Sequence, residues 1–160
     1  MKKKLVLSLG SNLGNRYAYL LQAIVAVNEE FDTLGEVAQF YETPPWGDTN
    51  QSRFINTAMV LETALPPDEC IGKLQDIEKA VGRIKTRKWG PRAIDIDILF
   101  YDNLEICTAD LIIPHPHLHK RAFVLQPLQD LMANFIHPSQ NKTIDELLSE
   151  IENDTAVFKP

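Results

Sequence analysis

Two amphipathic helical segments, each followed by β-rich apolar runs, predict an α+β sandwich for this 160-residue chain. Read in order, the elements run β-α-β-β-α-β with additional C-terminal helices, the ferredoxin-like arrangement. Neither a Pro/Gly/Ser linker nor an internal repeat interrupts them, so residues 1–160 read as one domain.

Each element has a local reason. Residues 4–9, "KLVLSL", form a short strand that runs into the turn "GSNLGN". Tyr17, Leu20, Leu21, Ile24, Val27 and Phe31 recur at helical spacing and place a helix over 14–30. "GEVAQFYE" (35–42) and "FINTAMVLET" (54–63) read as strands. The segment between them, "TPPWGDTNQSR", is too long and polar for a tight hairpin turn and suits a lid or binding wall. "LPPDECIGKLQDIEKAVGR" is a second helix, with prolines ahead of it and acids in its first turn. Its Ile71, Leu74, Ile77 and Val81 face inward, and Gly82 is a natural stop. A basic loop (83–92) leads into a strand over 93–100, followed by the turn "YDN" and a short extended piece. A helix is expected around 122–132. The last helix, in "TIDELLSEI", opens on Thr143 with Glu146 at the capping-box distance.

With 44 % apolar and 24 % charged residues, the composition is that of a soluble globular protein. A net charge of −6 argues against general nucleic-acid binding. Cys70 and Cys107 make no disulfide framework and read as buried small residues. The apolar run in "MKKKLVLSLGSN" is too short for a signal peptide, and no stretch approaches the roughly 20 apolar residues of a membrane span. The expectation is a cytoplasmic protein with no membrane partner. No helix is apolar on every side, so a monomer is expected.

The chemistry concentrates in "RKWGPRAIDIDILF" (87–100). Ile94, Ile96 and Ile98 share one face of its strand, Asp95 and Asp97 the other. Carboxylates two residues apart lie about 7 Å from each other and repel by about 2 kcal/mol at an effective dielectric of about 20. One explanation is a solvated face answered by lysines. The other is a Mg²⁺ site, since Mg²⁺ takes one or two carboxylates and completes its shell with water and substrate phosphates. Such a pair can also hold two ions about 4 Å apart for in-line displacement at phosphorus. Arg83, Lys85, Arg87, Lys88 and Arg92 place five positive charges within ten residues just ahead of the acids, as a polyanionic small substrate would require.

Other motifs are weaker. "GSNLGN" lacks both the Walker A ending and dinucleotide-fingerprint spacing, yet its strand–turn–helix context allows close approach of a ligand to the backbone at Gly10. His115, His117 and His119 alternate, but the Pro-x-Pro start does not force their rings to converge on zinc. His115 or Arg121 contacting phosphate is the better reading. His137, before Pro138, reads as a surface loop residue. Trp46 lies in the long loop. Phe54 and Asn56 point the same way on the next strand, as a flat heterocycle wants a stacking ring beside an amide; a core Phe with a capping Asn is the alternative. Trp89 fits a phosphate-site cover or a loop anchor. No Ser-His-Asp or Cys-His order stands out, and phosphoryl-type transfer is the best physical reading.

"KWGPRAIDIDILF", "LSLGSNLGNR", "FYETPPWG", "FINTAMVLET" and "IPHPHLHKRAFVLQPL" together resemble the signature blocks of the 6-hydroxymethyl-7,8-dihydropterin pyrophosphokinase family, over residues 4 to 130. The resemblance implies transfer of the pyrophosphoryl group of ATP to 6-hydroxymethyl-7,8-dihydropterin in folate biosynthesis, releasing AMP. It also implies two Mg²⁺ ions held by Asp95 and Asp97. Arg92, Trp89, Arg83, Lys85, Arg87 and Lys88 would cover and neutralise the triphosphate, with His115 and Arg121 reaching its oxygens. The pterin would stack between Phe54 and Phe123, its edge bonded by Asn56 and by the backbone around Thr43 and Pro45, with Trp46 on the loop alongside and Gly10 letting the chain pass close. Adenine would lie against the backbone at Ile98 and at Leu111, Ile112 and Ile113. Asp97 would orient or deprotonate the attacking hydroxyl, and the loops 43–53 and 83–92 would exclude water. Many relatives carry Tyr at the position of Phe54, and a basic and a hydroxyl residue at those of Asp110 and Ile112. No side-chain contact is carried over to the last two. A Mg²⁺-dependent phosphatase or kinase acting on another small molecule would share the acids and basic loop but not need the stacking pocket. A ferredoxin-like regulatory module would leave the charge cluster unexplained.

Overall fold

Leu5, Leu7 and Leu9 alternate with Val6, Ser8 and Gly10 along the first strand, and this parity organises the molecule. The structure, a computed structural model, describes residues 1–44, 50–82 and 92–160. Its elements are β1 (Lys3–Ser11), α1 (Arg16–Glu30), β2 (Glu36–Val37), β3 (Tyr41–Thr43), β4 (Phe54–Thr63), α2 (Pro67–Val81), β5 (Asp95–Tyr101), β6 (Ile106–Cys107), β7 (Ile112–Ile113), α3 (Ala122–Met132), α4 (Ile144–Ser149) and β8 (Ala156–Val157). The main sheet runs β5-β1-β4-β3-β8, with β2 also on β4, and its pairings are antiparallel. This is the ferredoxin-like order, with β8 added at one edge.

The odd-numbered leucines of β1 join Ile55, Met59 and Leu61 of β4 and Ile96 and Ile98 of β5 against α1 and α2. On the opposite face, Val6, Ala58, Leu99 and Phe100 pack on Val124, Leu125 and Leu128 of α3 and on Ile144, Leu147 and Leu148 of α4. The sheet is therefore covered on both sides, with its polar even positions left beyond the end of the α3 layer.

Local signals act as expected at several boundaries. Asn15 caps α1 by accepting from the Ala18 N–H, and Gly82 closes α2 at φ +123°, where an L side chain would be strained. The capping box of Thr143 and Glu146 opens α4. Four expectations are corrected. The strand over 35–42 is two pieces, because the register changes by one residue between Val37↔Met59 and Tyr41↔Asn56. The buried Thr57 hydroxyl donates to the carbonyls of Ala38 and Gln39 and holds this irregularity. Leu21 is 42 % exposed, since α1 meets the sheet through Leu20, Ala23 and Val27. Cys70 is buried but Cys107 is exposed, lying on the small β6–β7 hairpin.

The fourth correction is His137, only 3 % exposed. Its ring meets Phe100 edge-on, and Nδ1 accepts the N–H groups of Ser139 and Gln140, so the imidazole organises the α3–α4 connection from inside. Burial, followed by the His119 charge, pushes its pKa below the ordinary histidine value. Between the unfolded value near 6.5 and the depressed folded one, the unfolded chain binds more protons, so this group's contribution to stability is lost as pH falls through that window. Thermal melts from pH 7 to 5 are expected to fall more steeply for the parent protein than for His137→Gln, which cannot titrate. Equal slopes would remove the assignment.

Candidate active site

Cross-strand pairing places the polar positions in rows. Asp95, Gly10, Asn56 and Tyr41 are neighbours across β5, β1, β4 and β3, and Asp97, Ser8 and Ala58 form the next row. Because paired residues share a sheet face, both carboxylates and Asn56 point to one side. The start of α3 contributes Arg121 and Phe123, and the end of β3 contributes Thr43 and Pro44. Together with Phe54 and Arg92 these side chains line a cleft that opens to solvent, with apolar walls and a few convergent polar groups as small-molecule sites have.

One half of the cleft is flat and weakly polar. Phe54 and Phe123 face it with Thr43, Pro44 and Asn56. Asn56 is buried, and its Nδ2 has no hydrogen-bond partner among the described residues. An orphaned buried amide is costly unless a ligand accepts from it. Gly10 makes this arrangement possible: a Cβ there would sit 2.6 Å from Asn56 Oδ1.

The other half is charged. Arg92 Nη1 bonds Asp95 Oδ2 at 3.0 Å. Asp97 is held well above the usual carboxylate range, first by burial and then by the charges of Asp95 and Glu78, with Arg121 and Arg92 opposing. Arg121 is buried and stacks 5.6 Å over the Phe123 ring; burial lowers its pKa, and the charges of Asp97 and Asp95 oppose that. A buried carboxylate raised by a second carboxylate beside it, inside a cleft, marks a candidate functional site. Two hard oxygen donors on a rigid strand fit Mg²⁺, which takes one or two protein carboxylates; among the described residues no group of three or more metal-ligating side chains occurs, in this cleft or elsewhere.

His115 stands beside this half without lining the cleft. Its N–H donates to the Leu99 carbonyl at 3.1 Å, an oxygen turned outward where β5 carries one extra residue relative to β1. Burial first, then the charges of Arg121 and His117, push its pKa down to about 4, so it is neutral at pH 7. Nδ1 accepts from the His117 N–H, which leaves the ring proton on Nε2, available to an acceptor. His117 and His119 do not gather with it into a metal cluster.

The structure thus brings together Gly10, Thr43, Phe54, Asn56, Arg92, Asp95, Asp97, Arg121 and Phe123. Ile98, Leu111 and Ile112 lie outside the cleft. The Ile98 side chain is buried in the α1/α2 core, and Ile112 is in β7, which packs beside β5. Pro45, Trp46, Arg83, Lys85, Arg87, Lys88 and Trp89 lie outside the described residues.

Four residues escaped the sequence reading. Ser8 was legible, because it shares the parity of Gly10. Pro44 follows Thr43 directly. Glu78 sits at i+4 from Leu74, on the inward stripe of α2; it is buried, and its Oε2 accepts the outward-facing Ile96 N–H at 2.8 Å. Asn12 left no local signal. Its Nδ2 donates to Gln51 Oε1 and the Ser52 carbonyl, while its Oδ1 and N–H pair with the backbone of Arg92. One residue therefore anchors the last part of both long loops.

Comparison with known proteins points to one family. The model of the 7,8-dihydro-6-hydroxymethylpterin-pyrophosphokinase (HPPK) family matches residues 6–133. The 2-amino-4-hydroxy-6-hydroxymethyldihydropteridine pyrophosphokinase of Aquifex aeolicus (strain VF5) is 44 % identical over 144 residues, 90 % of this chain and 89 % of that protein. Its counterpart in Methylorubrum extorquens is 37 % identical over 148 residues, 91 % of this chain and 92 % of that protein. The crystal structure of Plasmodium falciparum HPPK-DHPS with pteroate superposes with a TM-score of 0.74 at 17 % identity. It covers 94 % of this chain and 42 % of the longer one, a likeness that speaks to fold alone.

Proposed function

The chain belongs to the 7,8-dihydro-6-hydroxymethylpterin-pyrophosphokinase family, and from that premise we propose how its cleft divides the work. The activity is transfer of the pyrophosphoryl group of ATP to the hydroxymethyl of a dihydropterin, leaving AMP. Dependence on ATP and Mg²⁺ is typical of the family. No helix among the described residues is long and apolar enough to cross a membrane.

In this reading the flat half of the cleft takes the pterin and the charged half takes the triphosphate. The observation that carries it is the orphaned Asn56 amide lining one cleft with Phe54 and Phe123, across β1 from the Asp95–Asp97 pair. Phe54 and Phe123 stack on the ring, and Asn56 Nδ2 donates to an edge acceptor. Asp95 and Asp97 would hold two Mg²⁺ ions, which neutralise phosphate charge and polarise the β-phosphoryl group for attack. Arg92 and Arg121 face the oxygens on which negative charge accumulates, and neutral His115 donates from Nε2. The basic residues Arg83, Lys85, Arg87 and Lys88, with Trp89, are assigned to the same triphosphate on sequence grounds, as are Pro45 and Trp46 to the pterin side.

Adenine is assigned to the outer edge of β5. Ile96 turns its N–H outward to Glu78, and with a period of two Ile98 turns its backbone groups to the same edge, beside Leu111 and Ile112. The hydroxyl oxygen of the pterin attacks the β-phosphorus and its proton is released to solvent, the bond from that phosphorus to the α-bridging oxygen breaks, and AMP leaves carrying that oxygen. The chain's contribution is to hold the two substrates in line and to exclude water.

Mixing protein, ATP, Mg²⁺ and 6-hydroxymethyl-7,8-dihydropterin is expected to give pterin-dependent AMP and the pterin pyrophosphate. Chromatography of the products decides: ADP as the nucleotide product, or AMP formed equally without pterin, would defeat this function.

A further inference from the structure

The strand β8 lies beyond the region that the family model matches, yet it reaches the wall of the cleft. It pairs with β3 through Tyr41↔Val157 and Glu42↔Ala156, and the next residue, Phe158, donates its N–H to the Phe40 carbonyl at 2.8 Å. The Phe158 ring lies 5.8 Å from that of Tyr17 and under the Arg16 guanidinium at 5.9 Å. The same guanidinium bonds Glu42 on β3 at 2.9 Å and the Arg53 carbonyl at 2.9 Å. β3 ends in Thr43, followed by Pro44, and Arg53 is followed by Phe54. Both flanks of the flat half of the cleft therefore converge on one aromatic plug.

We propose that Phe158 is a positioning residue for the pterin subsite, acting through Arg16 and β3 to hold the Thr43–Pro44 wall at the right spacing from Phe54. This rests on the assignment of the flat half of the cleft to the pterin. β3 has only three residues, and an irregularity already separates it from β2, so its pairing with β4 alone is a weak restraint. A strand on its other side and a ring beneath Arg16 supply what local pairing lacks. A wall left loose must be ordered when the ring binds, and that cost appears as lost affinity. The charged half of the cleft is built on β5 and the start of α3, and β5 lies at the opposite edge of the sheet from β8. The effect is therefore selective for the pterin.

The test measures two dissociation constants on the full chain: that of a non-hydrolysable ATP analogue with Mg²⁺, and that of the dihydropterin in its presence. Phe158→Ala is expected to weaken pterin binding about tenfold and to leave the analogue within about twofold, with Phe158→Tyr restoring the pterin value. Should Phe158→Ala not fold, Arg16→Met carries the same expectation. Pterin affinity within about twofold of the parent protein, or equal weakening of both ligands, overturns the proposal. Asn56→Ala separates the two levels. Weakened pterin binding in Asn56→Ala but not in Phe158→Ala removes the positioning role alone. Full binding in both removes the subsite assignment and this inference with it.

Discussion

Replacing Asp97 with Asn is expected to lower kcat at least ~10³-fold, equivalent to about 4 kcal/mol of transition-state stabilisation, while the metal-free protein becomes no less stable. The two effects share one cause. Burial first, and then the charges of Asp95 and Glu78, raise the pKa of the Asp97 carboxylate. The folded state then binds more protons than the unfolded chain from about pH 4 upward, so this group lowers stability as pH rises toward its folded value. Asn keeps the shape without the charge. In chelator, the melting point of Asp97→Asn is therefore expected to match or exceed that of the parent protein, by a margin that widens from pH 5 to 8. A variant that melts far lower at pH 8 would make the carboxylate a structural group. Undiminished turnover would end its assignment to the metals.

Gly10→Ala is expected to reduce kcat/KM for the pterin about 10²-fold and to leave KM for ATP close to its original value. The added methyl would lie 2.6 Å from Asn56 Oδ1, closer than carbon and oxygen approach. Gly10 is on the central strand between β4 and β5, where neither neighbour can withdraw, so the Asn56 side chain must rotate. That rotation moves the Nδ2 donor away from the ring it serves. Overpacking of this kind costs about 1–3 kcal/mol of stability. The double variant Gly10→Ala/Asn56→Ala separates the two costs, recovering melting temperature but not pterin turnover, because the two residues act as one unit. Steady-state kinetics with each substrate varied in turn check this, and an unchanged pterin KM in Gly10→Ala would contradict it.

The places where the sequence reading held and where it gave way differ in range of interaction. The strand over 54–63 and the helix over 122–132 are present with those limits, and the carboxylates and isoleucines of 94–98 fall on opposite faces, because side-chain parity is a property of the backbone itself. Recognition of the family rests on short motifs whose residues are close in sequence. The break at 38–40 depends on the hydroxyl of Thr57, on another strand. Burial of His137 depends on a partner at Phe100, and exposure of Leu21 on which face of α1 meets the sheet.

Within the cleft, the sequence alone determined which chemistry was possible: two acids on one strand face, a basic run before them, a ring and an amide at i and i+2 on another strand. Only the tertiary structure decided that the acids, the ring and the amide meet. Antiparallel register across β5, β1 and β4 sets Asp95, Gly10 and Asn56 side by side, and the first turn of α3 closes the space with Arg121 and Phe123. Glu78, Asn12 and Phe158 enter by the same route. Each acts through a partner 18 to 142 positions away, Ile96 for Glu78, Arg92 for Asn12 and Arg16 for Phe158. No local period encodes such pairs, because packing chooses them after the elements have formed.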